Sequence, residues 1–103
     1  MESIEHTGTL FRWQGGEGGN WYFIAIDGAA GEALSATRLM RRLESGSARG
    51  FGMIKVTVRI GGSRWQTSAF PQKSGGWLLP VKAAIRRAEG LGEGDQVWVV
   101  LEF

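Results

Sequence analysis

The sequence predicts a mainly β protein: a small closed or partly open β-barrel of about six strands with two short helices, in one domain spanning residues 1–103. Three observations lead there. Apolar and polar residues alternate with period two in several stretches, most cleanly over Ile54-Lys55-Val56-Thr57-Val58-Arg59-Ile60. Two other stretches switch to the helical period. Glycine is abundant, 17 of 103 residues against two prolines, which suits tight turns between short strands better than a helical bundle.

Taken in order, Ile4 to Trp13 reads as a first strand, with Thr7, Thr9 and Phe11 on one face and Leu10 on the other. Gln14 to Asn20 is a glycine-rich hairpin loop, and the aromatic and β-branched run Trp21 to Ile26 is the second strand. From about Ala30 to Leu43 the residues Ala33, Ala36, Leu39, Met40 and Leu43 fall on one helical stripe, which predicts a helix buried on that side. Met53 to Ile60 is the clearest half-buried strand. Gly61-Gly62 has the form of a two-residue hairpin turn that returns the chain as Ser63 to Phe70. After a turn-rich loop, Trp77 to Leu79 is a short strand leading into a second helix, roughly Pro80 to Glu89, with Pro80 in its first turn and Gly90 at its C-cap. Gln96 to Phe103 alternates again and closes the chain as a strand. A Trp-led strand, a helix with an Arg pair and an alternating strand occur over residues 21–60 and again over 77–103. Six strands that each bury one face satisfy their edges most easily by curling into a barrel.

Composition narrows the function classes. Apolar residues make up 43% and charged residues 21%, as in a folded globular chain. The net charge of +2 gives no reason to invoke nucleic acid, and the pI near 9.5 reflects how little titrates between the carboxylates and the lysines. Without cysteine there are no disulfides, thiolate metal sites or thiol nucleophiles. Met1 to Gly8 lacks the pattern of a secretory leader, and no apolar run approaches the roughly 20 residues that span a bilayer. The expectation is a cytoplasmic protein.

Four segments together carry a family resemblance. Gly50-Phe51-Gly52, Ile60 to Pro71 (I-G-G-S-R-W-Q-T-S-A-F-P), Leu78 to Arg86 (L-L-P-V-K-A-A-I-R) and Gly94-Asp95-Gln96-Val97 resemble the DUF1905 family in content and order. W-x-T-S-x-F-P followed by L-L-P-V-K-A is the most specific part. The resemblance implies a small bacterial β-barrel domain of unknown function, and it transfers no catalytic residues. Some relatives are fused to a bacteriocin-protection domain, which this sequence lacks. The stretch from Pro80 to Val99 is also similar to the swapped-hairpin barrels of AbrB-like DNA-binding antitoxins, a likeness attributable to shared barrel chemistry. In such a turn, Asp95 is expected to accept backbone N–H bonds.

No motif points to catalysis. Gly16-Glu17-Gly18 joins strand to strand, and Gly90-Leu91-Gly92-Glu93-Gly94 leaves a helix, so neither is a phosphate loop opening one. His6 is the sole imidazole, without a nucleophile elbow to serve. A metal site would have to be built from carboxylates, and the two aspartates are both explained by turns. Trp13, Trp21, Trp65, Trp77 and Trp98 are expected mainly to fill the barrel, with one or two lining a ligand cleft or stacking platform. The arginines of helix one, with Arg86 and Arg87, are expected to be solvated rather than to form a nucleic-acid patch.

The expectation is a non-enzymatic binding or interaction domain, for a small anionic molecule or a protein partner, with no cofactor, metal or membrane partner. A nucleic-acid-associated barrel and an enzyme of unassigned reaction are the alternatives. No catalytic residues are assigned. The candidate ligand site is Trp65, Lys82 and Arg86: Lys82 and Arg86 are four apart and share a helical face, beside the amides at that helix's N-terminus, with Trp65 as an aromatic wall.

Overall fold

The computed structural model describes residues 2–14, 20–45 and 52–103. Most of the glycine-rich loop, including Gly16-Glu17-Gly18, and Gly50-Phe51 of the family-like segments lie outside the described residues. The chain runs as β1 (Ser3–Gln14), β2 (Asn20–Ile26), α1 (Gly28–Ser45), β3 (Ile54–Ile60), β4 (Ser63–Pro71), β5 (Trp77–Pro80), α2 (Ala83–Glu89) and β6 (Gln96–Glu102). The six strands form a closed barrel in the order β1-β2-β5-β4-β3-β6, every pairing antiparallel. No described helix is long and apolar enough to cross a membrane.

The period-two pattern explains the core. Ile54, Val56, Val58 and Ile60 of β3 all face inward and are buried, while Lys55 and Arg59 are exposed. The same alternation places Leu10 against Ile24, Ile24 against Leu79, and Val58 against Leu101, so the inward residues of all six strands merge into one cluster. Between β3 and β4, Gly61 takes φ +55° and Gly62 does not have positive φ, the pattern of a type II′ turn. It pairs Ile60 with Ser63 and sets the register of the whole hairpin.

Both helices are crossovers. α1 links β2 to β3 and α2 links β5 to β6, and neither pair of strands is adjacent in the barrel, so the echoed strand–helix–strand order is present in the architecture. α2 ends in a left-handed Gly90, with the Leu91 amide donating to the Arg86 carbonyl at 2.8 Å and the Gly90 amide to that of Arg87 at 3.4 Å. This is the C-cap anticipated from the glycine. The Asp95 carboxylate accepts the Gly92 amide at 2.8 Å, as the turn chemistry implied.

Three expectations need correction. The second helix begins at Ala83, because Pro80 pairs with Phe23 as the last residue of β5 and the Val81 amide donates to the Tyr22 carbonyl at 2.9 Å. These β2 partners hold the chain extended past the proline. On α1, the predicted stripe is not the buried face: Leu39, Met40 and Leu43 are exposed, whereas Ala30, Gly31 and Leu34 are buried. Anchoring from Trp77 turns the helix, its indole N–H donating to Ser35 Oγ at 3.0 Å while the Arg38 guanidinium lies 5.2 Å from the ring centroid. Of the five tryptophans only Trp65 and Trp77 fill the barrel; Trp13, Trp21 and Trp98 stand outside, each about half exposed (50–53%).

Two stability measurements check this packing. In urea denaturation, Leu34→Ala is expected to cost about 2–5 kcal/mol and Leu39→Ala less than about 0.5 kcal/mol; equal losses would restore the sequence-derived stripe. Asp95→Ala is expected to cost about 1 kcal/mol, and an unchanged midpoint would show that the last turn does not depend on the carboxylate.

Candidate functional site

A slit in the barrel wall forms a concavity among the described residues, and the lengths of its neighbouring elements explain it. β4 pairs with β5 at Phe70–Leu78 and Pro71–Trp77, and Pro80, at the end of β5, has no N–H with which to carry the ladder further. β5 then stops at Pro80, and the chain swings through Val81 and Lys82 into α2. The helix returns to the start of β4 at its far end, where Ser63 Oγ donates to Glu89 Oε2 at 2.6 Å and the Gly62 amide to Oε1 at 3.4 Å. Between these two closures lies a space of about 660 Å³. One wall is Trp65 to Ser68 with Phe70; the other is Trp21, Tyr22, Pro80 to Ala83 and Arg86.

Trp65, Lys82 and Arg86, singled out from the sequence, all line this slit. Trp65 is the apolar floor, only 9% exposed. Arg86 lies flat on Tyr22, its guanidinium carbon 3.7 Å from the ring centroid, and its Nε donates to the Val81 carbonyl at 3.2 Å. These two contacts fix the plane of the guanidinium and leave its terminal nitrogens without a protein acceptor among the described residues. Lys82 is exposed, and its ammonium likewise has no hydrogen-bond or ion-pair partner there. No lining residue is acidic. The slit therefore presents two uncompensated cations beside aromatic surface.

The reason given for joining Lys82 to Arg86 does not hold. Lys82 is the extended residue before α2 (φ −68°, ψ 158°), so the two do not share a helical face. α2 has seven residues, and the amides of Ile85 and Arg86 already return to the Lys82 carbonyl, so these two are not open to a ligand. Sequence reasoning missed Tyr22 as the support for Arg86, and Trp21 and Gln66 to Ser68 as lining. The contact between β2 and α2 spans distant parts of the chain and leaves no local signature.

The W-Q-T-S-A-F-P and L-L-P-V-K-A segments that carry the resemblance occupy facing walls of the slit. The family model described as "Domain of unknown function (DUF1905)" matches residues 6–101, nearly the whole chain. The chain belongs to the DUF1905 family. No curated protein matches it. In this DUF1905 domain, the closed six-stranded barrel with two helices is the architecture that the resemblance implied.

Other groups weighed in the sequence are placed elsewhere. His6 is nearly buried, its Nε2 2.9 Å from the Ala25 carbonyl oxygen and 3.8 Å from Asp27 Oδ1. The bond to Ala25 ties β1 to β2. No three His, Asp or Glu residues among the described ones group to hold a metal ion. Arg38 is engaged with Trp77 rather than extended from α1.

If Tyr22 supports Arg86 as the geometry requires, a double-mutant cycle of Tyr22→Leu and Arg86→Ala should return a coupling on the order of 0.5–1 kcal/mol in urea denaturation. Strictly additive losses would show that the stack contributes nothing.

Proposed function

We propose that this DUF1905 domain is a non-enzymatic, cytoplasmic bacterial binding domain, and that the slit takes a small molecule with a carboxylate or phosphate group and a planar or apolar body. One observation carries this reading: the Arg86 guanidinium is held in place on Tyr22 with its terminal N–H groups unused, next to Lys82 and the Trp65 ring, with no carboxylate in the lining. A guanidinium fixed by stacking loses little side-chain freedom on meeting an anion and offers parallel donors to a planar carboxylate or a phosphate. The aromatic walls supply apolar area for the remainder of the ligand. Both family-bearing segments contribute to the walls, which supports treating the slit as the functional part of the barrel.

The test is a thermal-shift screen of the intact protein against carboxylate- and phosphate-bearing metabolites with aromatic or aliphatic bodies. A binder present at 100 times its Kd is expected to stabilise by about 2.7 kcal/mol, and Lys82→Gln combined with Arg86→Gln is expected to abolish the shift. A screen without stabilisation, or an equal shift in the double variant, removes the anion site. A shift produced only by oligonucleotides, falling steeply with salt, would instead favour the nucleic-acid barrel.

A further inference from the structure

The slit has one aromatic, cationic wall and one uncharged polar wall, and a ligand must answer both. The Val81 amide donates to the Tyr22 carbonyl, which carries the β2–β5 register one pair past Phe23–Pro80. Lys82 therefore comes opposite Trp21, on the same face of the sheet. Trp21 belongs to no part of the core and is 53% exposed. Its ring is nonetheless held in place, 6.3 Å between centroids and 10° from parallel to the ring of Phe23, with Trp13 opposite it on β1. An indole and an ammonium thus share the rim of the slit, with the Arg86 guanidinium in the same lining. Across from them are Gln66, Thr67 and Ser68. Their side chains bond no protein group among the described residues, which leaves an amide and two hydroxyls for whatever enters.

We infer that the occupant of the slit is a nucleotide, a nucleoside carrying a phosphate monoester, with its base on Trp21, its phosphate at Lys82 and Arg86 and its polar edges toward Gln66, Thr67 and Ser68. This rests on the slit being a binding site for anionic groups, as proposed above, and names the class of ligand. Four observations select that class from the other acids with a planar or apolar body. The first is charge. Two cations with no acidic residue in the lining are matched by a phosphate monoester, which carries about −1.5 to −2 at pH 7, and are only half matched by one carboxylate. The second is the polar wall. A purely apolar body against Gln66, Thr67 and Ser68 would strip water from their polar groups and return no hydrogen bond. Sugar hydroxyls and the edge of a base return both donors and acceptors. The third is the exposed indole: every base has a π-face, so stacking on Trp21 accepts the whole class and not one base. The fourth is the shape of the site. The slit is shut at both ends, by the β4–β5 pairing and by Glu89 on Ser63 and Gly62, so it admits one nucleotide and not a strand running through. Its volume of about 660 Å³ lies within the range of small-molecule sites, roughly 300–1,000 Å³.

The experiment is calorimetric titration of the intact protein with the common ribonucleoside monophosphates, each beside its parent nucleoside, with ribose phosphate, inorganic phosphate and naphthoate as partial ligands. At least one monophosphate is expected to bind at least about tenfold more tightly than its nucleoside and than each partial ligand. Lys82→Gln combined with Arg86→Gln is expected to cancel the advantage over the nucleoside. Lys82→Gln alone, at an exposed position, is expected to reduce it at least about threefold, which keeps the test decisive if the double variant folds poorly without the Tyr22 stack. Trp21→Ala, also at an exposed position, is expected to cancel the advantage over ribose phosphate. Naphthoate binding as tightly as every monophosphate, and weakened by Lys82→Gln, overturns the nucleotide and leaves the anion site standing. Monophosphates that bind no better than ribose phosphate, or that ignore Trp21→Ala, overturn the base stack and the nucleotide with it. Absence of binding by all of these anions, naphthoate included, overturns the inference together with the reading on which it rests. An oligonucleotide without terminal phosphate that binds more tightly than every monophosphate, with an affinity falling steeply with salt, overturns the single nucleotide in favour of a strand.

Discussion

Closure of the barrel depends on β1 belonging to two pairings at once. Its first part, Ser3 to Thr9, lies against β6, and its second, Leu10 to Gln14, against β2. At the changeover the Leu10 amide donates to the Asp95 carbonyl and the Leu10 carbonyl accepts the Gly94 amide, so the turn before β6 is stitched to the point where β1 bends away. Gly8 sits just before that bend, where an added Cβ would lie 2.7 Å from Ile24 Cγ2 and 2.8 Å from the Ala25 carbonyl oxygen. Such distances leave no room for a side chain between β1 and β2. Without this shared strand, β2 and β6 would each present an unpaired edge.

The slit follows from the same closure. Six strands of unequal length cannot pair along their full extents. The shortfall is concentrated at β5, whose four residues face a β4 of nine. α2 and the residues leading into it fill part of the missing wall, with Val81 and Ile85 buried in the common core and Glu89 fastened to Ser63 and Gly62. What remains open is lined by residues from β2, β4, β5 and α2. A closed barrel thereby keeps a slit in its wall, bordered by aromatic rings and two cations.

The two helices are fastened by a common chemistry. In each, an arginine lies over an aromatic ring of a strand: Arg38 over Trp77 from α1, Arg86 over Tyr22 from α2. A guanidinium can stack on a ring through its face while its edge stays hydrated or bonds an acceptor, so these arginines attach helices without burying an unpaired charge. On α1 this attachment, with the Ser35–Trp77 hydrogen bond, helps decide which side meets the barrel and leaves Leu39, Met40 and Leu43 in solvent.

The sequence by itself determined the strands, the Gly61-Gly62 turn, the Gly90 cap, the role of Asp95 and the barrel class. Each rests on periodicity or on the backbone needs of residues a few positions apart, and such signals are written locally. It also singled out Trp65, Lys82 and Arg86, which line one slit, through an argument from helical spacing that the extended backbone of Lys82 does not support. Only the tertiary structure decided which strands are neighbours beyond the two hairpins, which face of α1 is buried and where α2 begins. Pro80 is acceptable both at the end of a strand and in the first turn of a helix, and its pairing with Phe23 on a distant strand selected the former. The same holds for the site. Tyr22 and Arg86 are remote in sequence, and so are the stretches of β2, β4 and α2 that line the slit together. Those relations arise from closing the sheet, a constraint on the whole chain that no local stretch of residues records.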